Sequence, residues 1–153
     1  MKPIALGWDP NAKEMRDAVK SVLTELGHEV EDYGSEDPIY ANVAIRVAEA
    51  VASGKHERGI LICGTGIGMS IAANKVHGAY AALVSDAYSA ERAALSNDAN
   101  IITLGAQTLG IEHAKVLVKV WMSNYYKPGG RSEPKVSRIK EYDKERGNVR
   151  KKG

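Results

Sequence analysis

Gly59-Ile60-Leu61-Ile62-Cys63-Gly64-Thr65-Gly66-Ile67-Gly68-Met69-Ser70-Ile71-Ala72-Ala73-Asn74-Lys75 joins an apolar run to alternate glycines and then to a second apolar segment. The run 60–63 is too short and too continuous for an amphipathic helix, and reads as a strand buried on both faces. Gly64, Gly66 and Gly68 let the backbone turn sharply and bring amide N–H groups near a ligand, and 70–75 supplies a helix whose N-terminus favours negative charge. The chain's one cysteine stands at this junction, so the stretch offers an anion site beside a thiol. Packing is the other reading. Glycines between a strand and a helix can serve only close approach, and a lone buried cysteine can be an inert small hydrophobe. The spacing Gly-x-Gly-x-Gly is neither the dinucleotide fingerprint Gly-x-Gly-x-x-Gly nor a Walker A loop.

Before this centre, a short apolar strand over 3–7 ends in Trp8-Asp9-Pro10-Asn11, and Met15, Val19, Val22, Leu23 and Leu26 mark one face of a helix stopped by Gly27. Residues 28–34 read as a second, more exposed strand, 35–38 as a polar loop, and Ile39 as the start of a helix carrying Val43, Val47, Ala48 and Val51. After the centre come a strand over 79–84, a helix from Asp86 through Ala90, Ala93 and Leu95, and a strand over 101–104 closed by Gly105. A helix over 111–125 and a final basic helix with Val136, Ile139 and Tyr142 complete the chain. Strands alternating with helices predict an α/β fold: a doubly wound, Rossmann-like parallel sheet of five strands with helices on both faces. In such sheets ligands gather at the carboxyl ends of strands, where Trp8-Asp9, Cys63-Gly64-Thr65 and Asp86 all fall.

With 153 residues and 44% hydrophobic content, the chain suits one domain, placed at 1–143, with a basic tail over 144–153 that carries Arg146, Arg150, Lys151 and Lys152. A formal net charge of +2 gives no electrostatic case for nucleic acid. The absence of a long apolar run or leader in this sequence predicts a cytoplasmic protein without membrane contact. One cysteine excludes an internal disulfide, and four scattered histidines without ligand spacing point to no metal.

The segment 60–75 resembles the signature of the type B ribose-5-phosphate isomerases and their galactose-6-phosphate isomerase relatives. Gly7-x-Asp9, Ser96-Asn97-Asp98-Ala99-Asn100, Gly105, and Gly129-Gly130-Arg131 followed by Lys135 extend the likeness over almost the whole chain. The resemblance implies a cofactor-independent aldose–ketose isomerase working on a phosphorylated sugar through an enediolate. It also implies a homodimer or dimer of dimers, with active sites between subunits and the C-terminal helix packed on a partner. In that reading Cys63 is the base, the N–H groups of Gly64, Thr65, Gly66, Ile67 and Gly68 stabilise the enediolate, and Thr65 donates to a substrate oxygen. Asp9 contacts substrate, Asn97 holds a hydroxyl, and Arg131 and Lys135 from the neighbouring subunit bind phosphate.

Two departures bear on the substrate. The family's pentose enzymes usually carry histidine where this chain has Pro10 and Ser96. Proline has no N–H, and a serine hydroxyl has no pKa near 7, so neither replaces an imidazole. A four-carbon sugar 4-phosphate cannot close a furanose ring and needs no ring-opening histidine. Residues 88–97 also resemble the erythrulose-4-phosphate isomerase branch. A tetrose 4-phosphate is therefore the expected substrate, with ribose 5-phosphate and ribulose 5-phosphate as the alternative and a non-catalytic sugar-phosphate binder as the contrasting class. Asp9 is also open to a capping role, and Trp8 to either a pocket wall or packing. His28, His56, His77 and His113 read as surface residues without a catalytic part.

Overall fold

Three strands are apolar but for Thr103, and each is fully buried: β1 (Ile4–Trp8), β3 (Gly59–Cys63) and β5 (Ile101–Gly105). Two shorter, half-buried strands, β2 (Val30–Asp32) and β4 (Ala81–Leu83), form the edges. A computed structural model describes residues 1–34 and 37–152, with side chains as far as residue 146, and shows one parallel sheet in the order β2-β1-β3-β5-β4. Both edge strands are shorter than the sequence suggested, because only one neighbour holds them and their outer residues run into the loops.

Alternation along the strands divides the core. Ile4, Leu6, Ile60, Ile62, Ile102 and Leu104 meet helices α1 (Lys13–Glu25), α4 (Ala87–Leu95) and α5 (Ile111–Met122), whereas Ala5, Leu61, Cys63 and Ile101 meet α2 (Tyr40–Ala52) and α3 (Ile67–Ala73). Burial of Met15, Ala18, Val19, Val22 and Leu23 gives α1 its apolar stripe, and Gly27, at φ +87°, ends that segment in a left-handed turn. The expected doubly wound architecture is thus present, with three helices on one face and two on the other.

A sixth helix, α6 (Glu133–Lys152), follows the completed sheet. It continues through the segment assigned to a basic tail, while the side chains of Arg150, Lys151 and Lys152, like Ser35 and Glu36 of the polar loop, lie outside the described residues. Two more boundaries shift. α5 stops at Met122 rather than 125, and α3 begins at Ile67 rather than Ser70. No helix among the described residues is long and apolar enough to cross a membrane.

Candidate active site

The sheet order reverses between β1 and β3: β1 leads by α1 to β2 on one side, and β3 leads by α3 to β4 on the other. A crevice opens at such a switch point, outside the carboxyl ends of the two strands. Trp8 pairs with Ile62, and the Asp9 N–H donates to the Ile62 carbonyl at 2.8 Å, so Asp9 and Cys63 leave the sheet side by side.

Cys63 ends β3 only 4% exposed, on the α2 and α3 face, and the Gly66 N–H donates to its Sγ at 3.1 Å. The sulfur thus faces a backbone donor of the glycine loop. Gly66 has φ +80°, a turn that disfavours any side chain, and a Cβ there would stand 2.6 Å from Leu83 Cδ1 and 3.1 Å from the Leu104 carbonyl carbon. That left-handed turn starts α3 directly on the loop, which is why the helix begins earlier than expected. Thr65 Oγ1 accepts from the Ile67 N–H at 3.2 Å. Gly68 lies beneath the Tyr40 phenol, since a Cβ at Gly68 would fall 1.9 Å from the phenol oxygen.

The end of β5 clamps the same loop. Ala106 N–H donates to the Cys63 carbonyl at 2.8 Å and Gln107 N–H to the Gly64 carbonyl at 2.9 Å, while buried Thr103 Oγ1 donates to the Gly66 carbonyl at 2.9 Å. Thr103 and Gln107 were not singled out from the sequence. A lone hydroxyl inside an apolar strand was the available signal for Thr103; Gln107, in a polar turn, carried none.

Asp9 takes the capping role that the sequence left open: its Oδ1 accepts from the Asn11 N–H at 2.8 Å, capping a short 3-10 turn, Pro10–Ala12. Trp8 is packing. It is 7% exposed, donates Nε1–H to Asp32 at 2.7 Å, and carries the Arg16 guanidinium 4.2 Å above its ring. Burial works against the Asp32 charge, yet hydrogen bonds from Trp8, Gly34 and Lys20 outweigh it and hold the carboxyl below its ordinary range. His56 corrects the surface reading: it is buried between the Pro3 carbonyl, which takes its Nδ1–H at 2.7 Å, and the Tyr33 hydroxyl, 2.7 Å from Nε2. Its flanking polar sequence gave no hint of this, because its partners come from distant strands.

Asn97, and the helix that bears Lys135, do not join Cys63 within one chain. β5 runs from Ile101, beside Gly59, to Gly105, beside Cys63, and Gly59 N–H donates to the Asn100 carbonyl. The 96–100 turn therefore sits at the amino end of the sheet, roughly 13 Å along the strand from Cys63. Lys140 of α6 meets Asp98 at this same end, which brings the helix bearing Lys135 there too. One chain thus displays two groups of candidate residues at opposite ends of its sheet.

Residues 4–139 match the family model described as Ribose/Galactose Isomerase. The chain is 46% identical over 147 residues to a D-erythrulose-4-phosphate isomerase of Pectobacterium atrosepticum, covering 94% of this chain and 96% of that protein. It is 45% identical over 143 residues to a ribose-5-P isomerase B of Listeria innocua, covering 92% and 96%. A solved structure of Clostridium thermocellum ribose-5-phosphate isomerase B superposes with a TM-score of 0.87 at 39% identity, over 95% of this chain and 99% of that one. With residues 4–139 matching the family model and nearly the full length shared with these relatives, the chain belongs to the ribose/galactose isomerase family.

Proposed function

We propose that this protein interconverts the aldose and ketose forms of a tetrose 4-phosphate, with Cys63 as the base. The observation that carries the reading is the Gly66 N–H donated to Cys63 Sγ at the switch point of the sheet. Isomerisation moves a proton between adjacent carbons, so it needs one base, donors for an oxyanion and an anchor for the phosphate. The Cys63 thiolate takes the proton from the carbon next to the carbonyl, and the electron pair moves onto the carbonyl oxygen to give the enediolate. The resulting thiol returns the proton to the former carbonyl carbon, while the neighbouring hydroxyl gives up its proton to the enediolate oxygen and becomes the new carbonyl. Since the Gly66 amide serves the sulfur, the amides of Gly64, Thr65 and Gly68 receive the enediolate oxygen, joined by that of Ile67 when Thr65 turns its hydroxyl to substrate. Asp9, beside Cys63 on the next strand, holds a second substrate oxygen.

Asn97, Arg131 and Lys135 complete this centre from a second copy. Their place at the far end of the sheet supports a homodimer, in which each active site takes its base from one subunit and its phosphate cations from the other. The C-terminal helix then packs against the partner. Because phosphorylated sugars are charged and do not cross bilayers unaided, the enzyme works in the cytoplasm.

The tetrose preference rests on Pro10 and Ser96. Pro10 opens the 3-10 turn without an N–H to offer, and Ser96 caps α4, its own N–H donated to the Arg92 carbonyl at 2.8 Å. Pentose phosphate is the second reading, favoured by the likeness to ribose-5-P isomerase B. Purified protein assayed with erythrulose 4-phosphate, ribulose 5-phosphate and a hexose ketose phosphate should turn over the tetrose fastest; efficient pentose conversion with no action on the tetrose would overturn the preference. Cys63→Ala should lower turnover by about 10³-fold or more while retaining phosphate-dependent binding. Retained activity in that variant would move the base elsewhere, and binding without solvent deuterium exchange at the substrate carbon in the native protein would mark a binder.

A further inference from the structure

Among its described side chains, helix α6 buries little apolar surface. Val136 is its buried residue, Ile139 and Tyr142 remain about half exposed, and a cavity of about 160 Å³ lies between α6 and the α3–β4 connection, lined in part by Asn74, Tyr80, Ile139, Tyr142 and Asp143. What fastens the helix is polar. Asp143 accepts from His77 Nδ1 at 2.7 Å, from the Gly78 N–H at 2.8 Å and from the Tyr80 hydroxyl at 2.8 Å. One turn earlier, Lys140 donates to Asp98 at 2.6 Å, with its ammonium about 6 Å from the Tyr80 and Tyr126 rings.

These bonds reach two loops that are themselves joined. Asn100 accepts from the Tyr80 N–H at 2.8 Å and donates to the Gly78 carbonyl at 2.9 Å, so the 96–100 turn and the 77–80 segment move as one piece. Asp98, next to Asn97, is the one non-glycine residue of positive φ among the described residues, at +51°. A strained backbone of this kind persists where its surroundings hold it, and Lys140 supplies part of that hold. Lys135 lies within α6 and Arg131 just before it.

We propose that Lys140 and Asp143 are positioning residues that hold Arg131 and Lys135 in register with Asn97, and so set the affinity for the phosphorylated end of the substrate. This inference rests on reading Arg131 and Lys135 as phosphate ligands. Neither Lys140 nor Asp143 touches substrate. Each acts by fixing the angle and advance of α6 against the turn that carries Asn97.

The experiment is steady-state kinetics on the full-length protein with its best sugar phosphate, together with competitive inhibition by inorganic phosphate. Lys140→Met and Asp143→Asn should each raise KM and the phosphate inhibition constant in parallel, by about five- to tenfold, with kcat within about twofold of native. Lys140→Arg should restore most of the loss. Arg131→Ala should raise KM more, and adding Asp143→Asn to it should bring less further loss than Asp143→Asn brings alone, since one of the two groups being positioned is then gone. Unchanged KM in both latch variants, or full additivity with Arg131→Ala, overturns the proposal while leaving the phosphate reading intact. An Arg131→Ala protein with native KM overturns both. Lys140→Met alters a partly exposed side chain, so it tests the idea even if Asp143→Asn folds poorly.

Discussion

The two ends of the sheet are built by opposite means. At the carboxyl end, the loop bearing Cys63 is fixed by backbone hydrogen bonds and by the left-handed turn at Gly66, packed against Leu83 and Leu104, with Gly68 under Tyr40. At the amino end, the turn bearing Asn97 closes on its own backbone, with Asn97 N–H to the Arg92 carbonyl and Ala99 N–H to the Ala93 carbonyl, but the helix that carries Lys135 is fastened there by side-chain bonds at the surface, Lys140 to Asp98 and Asp143 to His77, Gly78 and Tyr80. The first construction places one sulfur accurately and tolerates no change in volume. The second fixes the direction of a helix and yields gradually. A proton-transfer centre needs the former, whereas charge recognition falls off slowly with distance and works with the latter.

This contrast can be broken most severely at Gly66. Gly66→Ala puts a Cβ into a left-handed turn and against Leu83, so unfolding free energy should fall by about 2–3 kcal/mol and activity should be nearly lost. Urea denaturation and turnover measured together check this; native stability would show that the loop adapts. A somewhat smaller effect is expected at Arg58, which is buried beneath the segment leading to Arg131. Its guanidinium lies between the Trp121 and Tyr125 rings, 4.3 and 4.2 Å away, and donates to the Trp121 and Asn124 carbonyls at 2.7 and 2.6 Å. Arg58→Met leaves those carbonyls without their donor and should cost about 2 kcal/mol, read as a lowered Tm.

Acid probes the softer end with the smallest effect. Burial opposes the Asp143 charge, but bonds from Gly78, His77 and Tyr80 prevail and hold its carboxyl below the ordinary range. Tyr80 responds in the opposite direction, since burial and the Asp143 bond push its phenol up. A carboxyl lowered on folding contributes stability that is complete above its unfolded value of ~3.9 and is lost as pH falls through the lower folded value. Tm should therefore drop below about pH 4, and Asp143→Asn should flatten that drop. Asp32 behaves likewise at the β1–β2 end, so part of the slope should survive the substitution. An acid profile identical in native and Asp143→Asn proteins would remove Asp143 from the account.

Much of the carboxyl-end group was legible in the chain because it is local. Strand, glycines and helix follow one another in 59–75, and the strand-to-loop junction alone places Cys63 at a carboxyl end. Less was legible where partners are remote in sequence. His56 read as a surface residue because its partners come from Pro3 and Tyr33, and Thr103 and Gln107 drew no notice because the loop they clamp lies some forty residues away. The early start of α3 was missed for a different reason. A glycine in a left-handed turn both ends a loop and begins a helix, and composition does not show which φ it takes.

By itself, the sequence determined the alternation of strands and helices, the burial of its central strands and the place of one thiol among glycines at a strand end. These follow from periodicity and from residue type, which are properties of neighbours along the chain. Only the tertiary structure decided that Asn97 and α6 stand at the far end of the sheet from Cys63, because strand register and crossover direction set that distance. Only it showed that Lys140 and Asp143 fasten the basic helix to the 96–100 turn and the 77–80 segment, since hydrogen bonds between distant segments leave no periodic trace in a sequence.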